Sequence, residues 1–159
     1  MQTVKIIAVG KLKEKYLRDA ADEYMKRLGA YCKPEIIELK EAFIPENPSE
    51  KEISAALFEE GKAILKAIDG RPFTALCIEG EQVSSEELSK RLEKSASDGL
   101  SAQIFVIGSS HGLSDEVKSK ADFKLSMSKM TFPHQLARVM FLEQIYRAFS
   151  IAKGGKYHK

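Results

Sequence analysis

At 159 residues the chain is the size of one domain, and 43% apolar residues are enough for a real core. A charged fraction of 30% is enough for solubility, and a net charge of only +2 does not suggest a protein held on nucleic acid by overall charge. An RNA partner must therefore meet a local patch, such as Lys11, Lys13 and Lys15 or Lys153, Lys156 and Lys159, and no apolar run approaches the length of a membrane span.

Val4 to Val9 is a short β-branched run closed by Gly10. It is too brief for a signal-peptide core, has no small-residue cleavage site after it, and reads as a first strand. Leu17, Ala20, Ala21, Tyr24 and Leu28 then recur at helical spacing. Past Pro34, Glu35 to Leu39 predicts a second strand, and Phe43-Ile44-Pro45-Glu46-Asn47-Pro48 is loop by composition. Ser49 and Glu52 form a capping box that opens a helix burying Ile53, Leu57, Ile64, Leu65 and Ile68. Asp69-Gly70 and Pro72 stop it. Phe73 to Ile78 predicts the third strand, ending at Gly80, and a second capping box, Ser84 with Glu87, opens a helix carrying Leu88 and Leu92. Asp98-Gly99 turns the chain into a fourth strand around Ile104 to Ile107. A short helix near Asp115 to Lys120, a fifth strand at Phe123 to Leu125 and a last helix from about His134 to Ala152 complete the chain. This alternation predicts an α/β fold with a mainly parallel sheet flanked by helices. Cys32 and Cys77 show no metal or redox spacing, so the expected setting is reduced and cytoplasmic.

The last helix carries apolar residues around most of its circumference, where a surface helix shows one stripe. A subunit interface with two-fold symmetry is the favoured explanation, and a central helix in a large core is the alternative.

Two loops follow strand-like runs in the last third: Gly108 to Ser114, and Ser126 to His134. Glycine lets backbone approach a ligand closely, and adjacent strand ends in an open α/β sheet form a crevice. No P-loop, dinucleotide fingerprint or nucleophile elbow is present, and His111, His134 and His158 have no metal-ligand spacing, so no metal is expected. What remains is a pocket of backbone and small side chains, suited to a neutral or cationic nucleoside-containing ligand.

Several segments carry a resemblance. Val9-Gly10-Lys11-Leu12-Lys13-Glu14-Lys15-Tyr16, Phe105-Val106-Ile107-Gly108, Ser128-Lys129-Met130-Thr131-Phe132-Pro133-His134-Gln135, Glu143 to Phe149 and the terminal Tyr157-His158-Lys159 resemble the bacterial ribosomal RNA large subunit methyltransferase H family. The resemblance implies a SPOUT-type fold over residues 1–159 as one domain, a C-terminal trefoil knot and a homodimer. It implies S-adenosylmethionine as donor and methylation of N3 of a pseudouridine in 23S rRNA of the ribosome, with neither DNA nor membrane as partner. The chain departs from the family pattern at Ser109, where a second glycine is usual, and at Lys156, which precedes Tyr157.

By position, the resemblance assigns the cofactor to Leu76, Gly108, Met127, Ser128, Lys129, Met130, Thr131 and Phe132. The plain alternatives are a core leucine, a strand-ending turn and an ordinary connection. Alignment and removal of the N3 proton are the chemical tasks, since the donor's methyl group is already activated. His134, Arg138, Arg147, Tyr157 and His158 are the candidates for them. Each has a structural reading too: His134 as a helix cap, Arg138 as an ion pair within the dimer, Arg147 as a group with a buried partner, and Tyr157 and His158 as a disordered terminus. A non-catalytic ribosome-binding module and a generic nucleotide-binding enzyme are the competing functions.

Overall fold

The structure is a computed structural model and describes residues 1–159. The predicted elements are all present: β1 (Thr3–Val9), α1 (Lys15–Leu28), β2 (Lys33–Leu39), α2 (Glu50–Ile68), β3 (Thr74–Gln82), α3 (Ser85–Ser97), β4 (Ala102–Ile107), α4 (Asp115–Lys120), β5 (Phe123–Ser126) and α5 (His134–Ala152). Both capping boxes form. Ser49 and Ser84 accept from the backbone N–H of Glu52 and Glu87, whose carboxylates accept in return from the two serine N–H groups.

The five strands make one sheet in the order β2-β1-β4-β3-β5, with every pair parallel. Its centre is apolar on both faces, as a covered parallel sheet requires. Val4, Ile6 and Ala8 of β1, with Phe105 and Ile107 of β4, face α1, α3 and α5. Ile7 and Val9, with Ile104 and Val106, face α2 and α4. Because the strands are parallel, the connections that follow β1, β2, β4 and β5 all emerge at one edge.

Two features differ from expectation. The third strand runs on to Gln82, and its register breaks: Leu125 of β5 is in register with both Leu76 and Glu81. Residues 77–80 thus form an irregular bulge between two stretches of pairing with β5. Gly80 fits that bulge because a Cβ there would lie 2.7 Å from the Lys124 backbone. The second difference concerns α5. It lies on the sheet between α1 and α3: Ser89 donates to the Ala148 carbonyl at 2.7 Å, and Tyr31 stacks on Phe149 with centroids 5.9 Å apart. Phe141, Leu142, Ile145 and Ala148 are buried within the chain itself. The apolar girth of α5 is thus taken up by its own neighbours, and the helix alone does not call for a second subunit. No helix is long and apolar enough to cross a membrane.

Candidate cofactor and active site

The β4–α4 connection is a tight curl. A Cβ at Gly108 would collide with the Gly112 carbonyl, Gly112 takes φ +86°, and the Gly112 N–H donates to the Ser109 carbonyl at 2.9 Å. Ser109 has no positive φ, so serine is accommodated there without backbone strain. Its buried hydroxyl donates to Glu60 Oε1 at 2.8 Å.

The β5–α5 connection is held by small side chains. Ser126 Oγ donates to the Ser128 carbonyl at 3.0 Å, and Ser128 Oγ accepts from the Met130 N–H at 3.0 Å. From Met127 to Phe132 no other backbone N–H has an intramolecular partner, which leaves a run of donors open to a ligand. Met130 is 73% exposed, and Ile78, in the irregular stretch of β3, is also exposed. Leu76, Gly108 and Met127 to Phe132 therefore gather at the carboxyl ends of β3, β4 and β5, around apolar side chains and free peptide groups. A cavity of about 360 Å³ touches this group only at Met127 and is otherwise walled by residues such as Tyr24, Val83, Met140 and Glu143. A second cavity of about 240 Å³, near Pro72, Arg91 and Phe123, lies at the opposite edge of the sheet.

The five catalytic candidates fall into two groups. His134 is the first residue of α5, with Pro133 as the N-cap, so of its two readings the helix cap falls away. Its Nε2 lies 3.3 Å from Glu41 Oε1 without the alignment of a hydrogen bond. Arg138 is buried; its guanidinium pairs with Glu38 and donates to the Gly10 carbonyl at 2.9 Å. The pair lies within the chain and ties α5 to the ends of β1 and β2. Lys13 adds to this tie by donating its N–H to Gln135 at 2.8 Å.

Arg147, Tyr157 and His158 form the other group. Arg147 donates to Glu143 Oε1 through Nε at 2.9 Å and through a terminal nitrogen at 2.6 Å. Its guanidinium lies 4.7 Å from the centre of the Tyr157 ring. Tyr157 donates to Glu143 at 3.0 Å, and its ring meets Tyr146 edge-on at 4.8 Å. His158 has Nδ1 3.1 Å from Arg147 and Nε2 2.7 Å from Glu86. The tail is docked here, in place of the disordered terminus considered above. Hydrogen bonding with Glu143 holds Arg147 more firmly cationic. Hydrogen bonding with Tyr24, burial and the Glu143 carboxylate push the Tyr157 phenol well above its ordinary range. His134 and Arg147 sit about 20 Å apart along the helix axis at ~1.5 Å per residue, so one chain does not bring the two groups together. His111 is exposed on its loop.

Sequence reasoning missed the carboxylates: Glu38, Glu41, Glu60, Glu86 and Glu143. Glu143 was findable, one turn before Arg147 on the same helix face. Glu38 is paired with a residue 100 positions away and left no local signal.

Comparisons with known proteins agree along the whole chain. Residues 1–158 match the family described as "Predicted SPOUT methyltransferase". A Clostridium perfringens protein named ribosomal RNA large subunit methyltransferase H 1 is 54% identical over 157 residues, covering 98% of this chain and 99% of that protein. A Clostridioides difficile protein named ribosomal RNA large subunit methyltransferase H is 52% identical with the same coverage. Among solved structures, a probable methylase family protein from Haemophilus influenzae matches with a TM-score of 0.57 at 13% identity, over 98% of this chain and 70% of that one. A tRNA (m1G37) methyltransferase from Aquifex aeolicus gives 0.53 at 10% identity, over 92% and 70%. At such identities the two structures speak to the fold alone.

Proposed function

This chain belongs to the SPOUT methyltransferase family, and on that premise we propose that it methylates N3 of a pseudouridine in 23S rRNA of the large ribosomal subunit, with S-adenosylmethionine as donor. The observation that carries the reading is the 54% identity, over nearly the whole of both chains, to a relative named for ribosomal RNA methylation.

The residues present fit the donor. Leu76, Ile78 and Met130 offer apolar surface to a purine ring, the closed curl at Gly108 offers backbone, and the free N–H groups from Met127 to Phe132 offer hydrogen bonds. S-adenosylmethionine carries no phosphate, which matches a pocket without a phosphate cradle. When bound, S-adenosylmethionine supplies a methyl group already activated by its sulfonium.

The protein's tasks are then to seat the base and manage one proton. Lys11, Lys13, Lys40 and Lys129 are exposed, pair with no carboxylate and follow β1, β2 and β5 at the cofactor edge; they form the local basic patch that a weakly charged chain needs for RNA. Tyr157, kept protonated, donates a hydrogen bond and is not the base. Arg147 offsets the negative charge of the imide as N3 loses its proton, and His158, once its Nδ1 leaves Arg147, accepts that proton. His134 and Arg138 hold the start of α5 against β1 and β2.

A homodimer unites these parts. The outer stripe of α5 includes Leu136, 39% exposed, and Met140. A second copy against that stripe brings one chain's Arg147–Tyr157–His158 cluster to the other's cofactor loops. Residues 1–159 act as one SPOUT domain with a C-terminal trefoil knot, and the ribosomal substrate makes the enzyme cytoplasmic.

The test is incubation of purified protein with methyl-labelled donor and ribosomes lacking the modification. Label is expected in 23S rRNA. Donor and ribosome binding without transfer would instead mark a non-catalytic ribosome-binding module.

A further inference from the structure

We propose that Glu60 is a positioning residue that holds the Gly108 loop in its ligand-binding shape and couples it to the His134 end of α5. This rests on the reading of that edge as the S-adenosylmethionine site.

Glu60 lies inside α2 and is 4% exposed. Its carboxylate has no cationic partner. It accepts from Ser109 Oγ at 2.8 Å and from the Ala42 N–H at 3.0 Å. A buried carboxylate paired with neither arginine nor lysine is costly, and an apolar residue of similar size fills such a site at less expense. What the carboxylate adds is geometry: two directed hydrogen bonds to two separate connections.

The next residue serves the same loop. A Cβ on Gly61 would lie 2.7 Å from Ser114 Oγ, so glycine lets α2 press against the far end of the curl. Ser114 in turn caps α4 by accepting from the Val117 N–H at 3.2 Å. Adjacent residues of one helix turn thus grip both ends of the Gly108–Ser114 loop, at Ser109 by a hydrogen bond and at Ser114 by close approach.

The other oxygen of Glu60 reaches the β2–α2 connection. Ala42, whose N–H it takes, follows Glu41. The Glu41 carboxylate lies 3.3 Å from His134 Nε2 and 2.8 Å from where a Gly10 Cβ would sit. Glu60 therefore joins the loop of the cofactor to the residues that seat α5. Ser109, a departure from the glycine usual in the family, supplies the hydroxyl that completes the tie. A loop fixed in advance spares the ligand the entropy of ordering it.

The test uses the full-length protein and the variants Ser109→Ala, Glu60→Gln and Glu60→Ala. Calorimetry with S-adenosylmethionine should show Kd raised about tenfold in Ser109→Ala, the scale of one hydrogen bond to a charged group. Glu60→Gln should stay near wild type, because its amide oxygen accepts from Ala42 while its NH2 donates to Ser109. In ligand-free protein, hydrogen exchange should quicken at residues 108–114 and 40–43 in Ser109→Ala and Glu60→Ala, with the rest of the sheet unchanged. Wild-type Kd and exchange in Ser109→Ala, which folds even if Glu60→Ala does not, would overturn the positioning role alone. A wild-type protein that takes up no S-adenosylmethionine would overturn the site reading and the positioning role with it.

Discussion

Replacing Tyr157 with alanine should free the C-terminal tail while leaving the cofactor loops as they are. Ordering Gly155 to His158 costs about 4–8 kcal/mol, at roughly 1–2 per residue. Burial of the Tyr157 ring and its edge-on contact with Tyr146 return about 2–4 kcal/mol. Its hydrogen bond to Glu143 adds about 1 kcal/mol, and the guanidinium of Arg147 over the ring adds about 0.5–1. The two sides nearly cancel; with the His158 contacts to Arg147 and Glu86 added, the docked tail is only marginally favoured, and Tyr157 supplies most of what favours it. Its loss makes the released tail dominant. The assay is tryptic cleavage after the exposed Lys156, expected to run about tenfold faster or more once the docked state is lost. Hydrogen exchange of the tail amides should rise with it. Affinity for S-adenosylmethionine should stay within twofold, roughly the scatter of a distant surface change, while methyl transfer to ribosomes is lost. A tail that stays protected in Tyr157→Ala, or a cofactor affinity that falls with it, would refute the energetic account and the division between tail and pocket.

Ile145→Glu places an unpaired carboxylate where wild type is 0% exposed and should cost more than about 4 kcal/mol, enough to unfold the chain. Leu136→Glu on the outer stripe should keep its thermal unfolding and lose only dimerisation; sedimentation with circular dichroism separates the two, and a folded Ile145→Glu monomer would contradict the packing described for α5. Phe43 is 87% exposed on the connection that Glu60 anchors. Phe43→Ala should lower kcat/KM for ribosomes about tenfold, the scale of one base–aromatic stack, without changing cofactor Kd; equal kcat/KM would remove Phe43 from the RNA contact. The Tyr157 phenol, raised above its ordinary 10.0, favours the docked tail below that pH. The contribution is lost as pH climbs through the raised value. Ultraviolet titration should show a last phenolate step that Tyr157→Phe removes.

The ten elements were legible because their signals are local. β-branched runs ending at Gly10 and Gly108, helical spacing from Leu17 to Leu28, and the serine–glutamate pairs at Ser49 and Ser84 each report on a few neighbouring residues. Strand order is not local, and neither is the register break of β3 against β5, for which Gly80 was the one trace. The girth of α5 left two readings open because a 3.6-residue period records how much of a helix is covered, not whether its own α1 and α3 or a partner covers it. The helix-cap alternative for His134 fails because Pro133, with its fixed φ, takes that position. The cofactor residues were placed by family resemblance, and the physics of free N–H groups and a closed glycine curl became visible only in three dimensions.

The most direct test of the central claim is mass-spectrometric mapping of 23S rRNA after purified protein and S-adenosylmethionine act on ribosomes that lack the modification. The account predicts one added methyl group, on N3 of a single pseudouridine. No added methyl group, or one on another base or another atom of the ring, would contradict it.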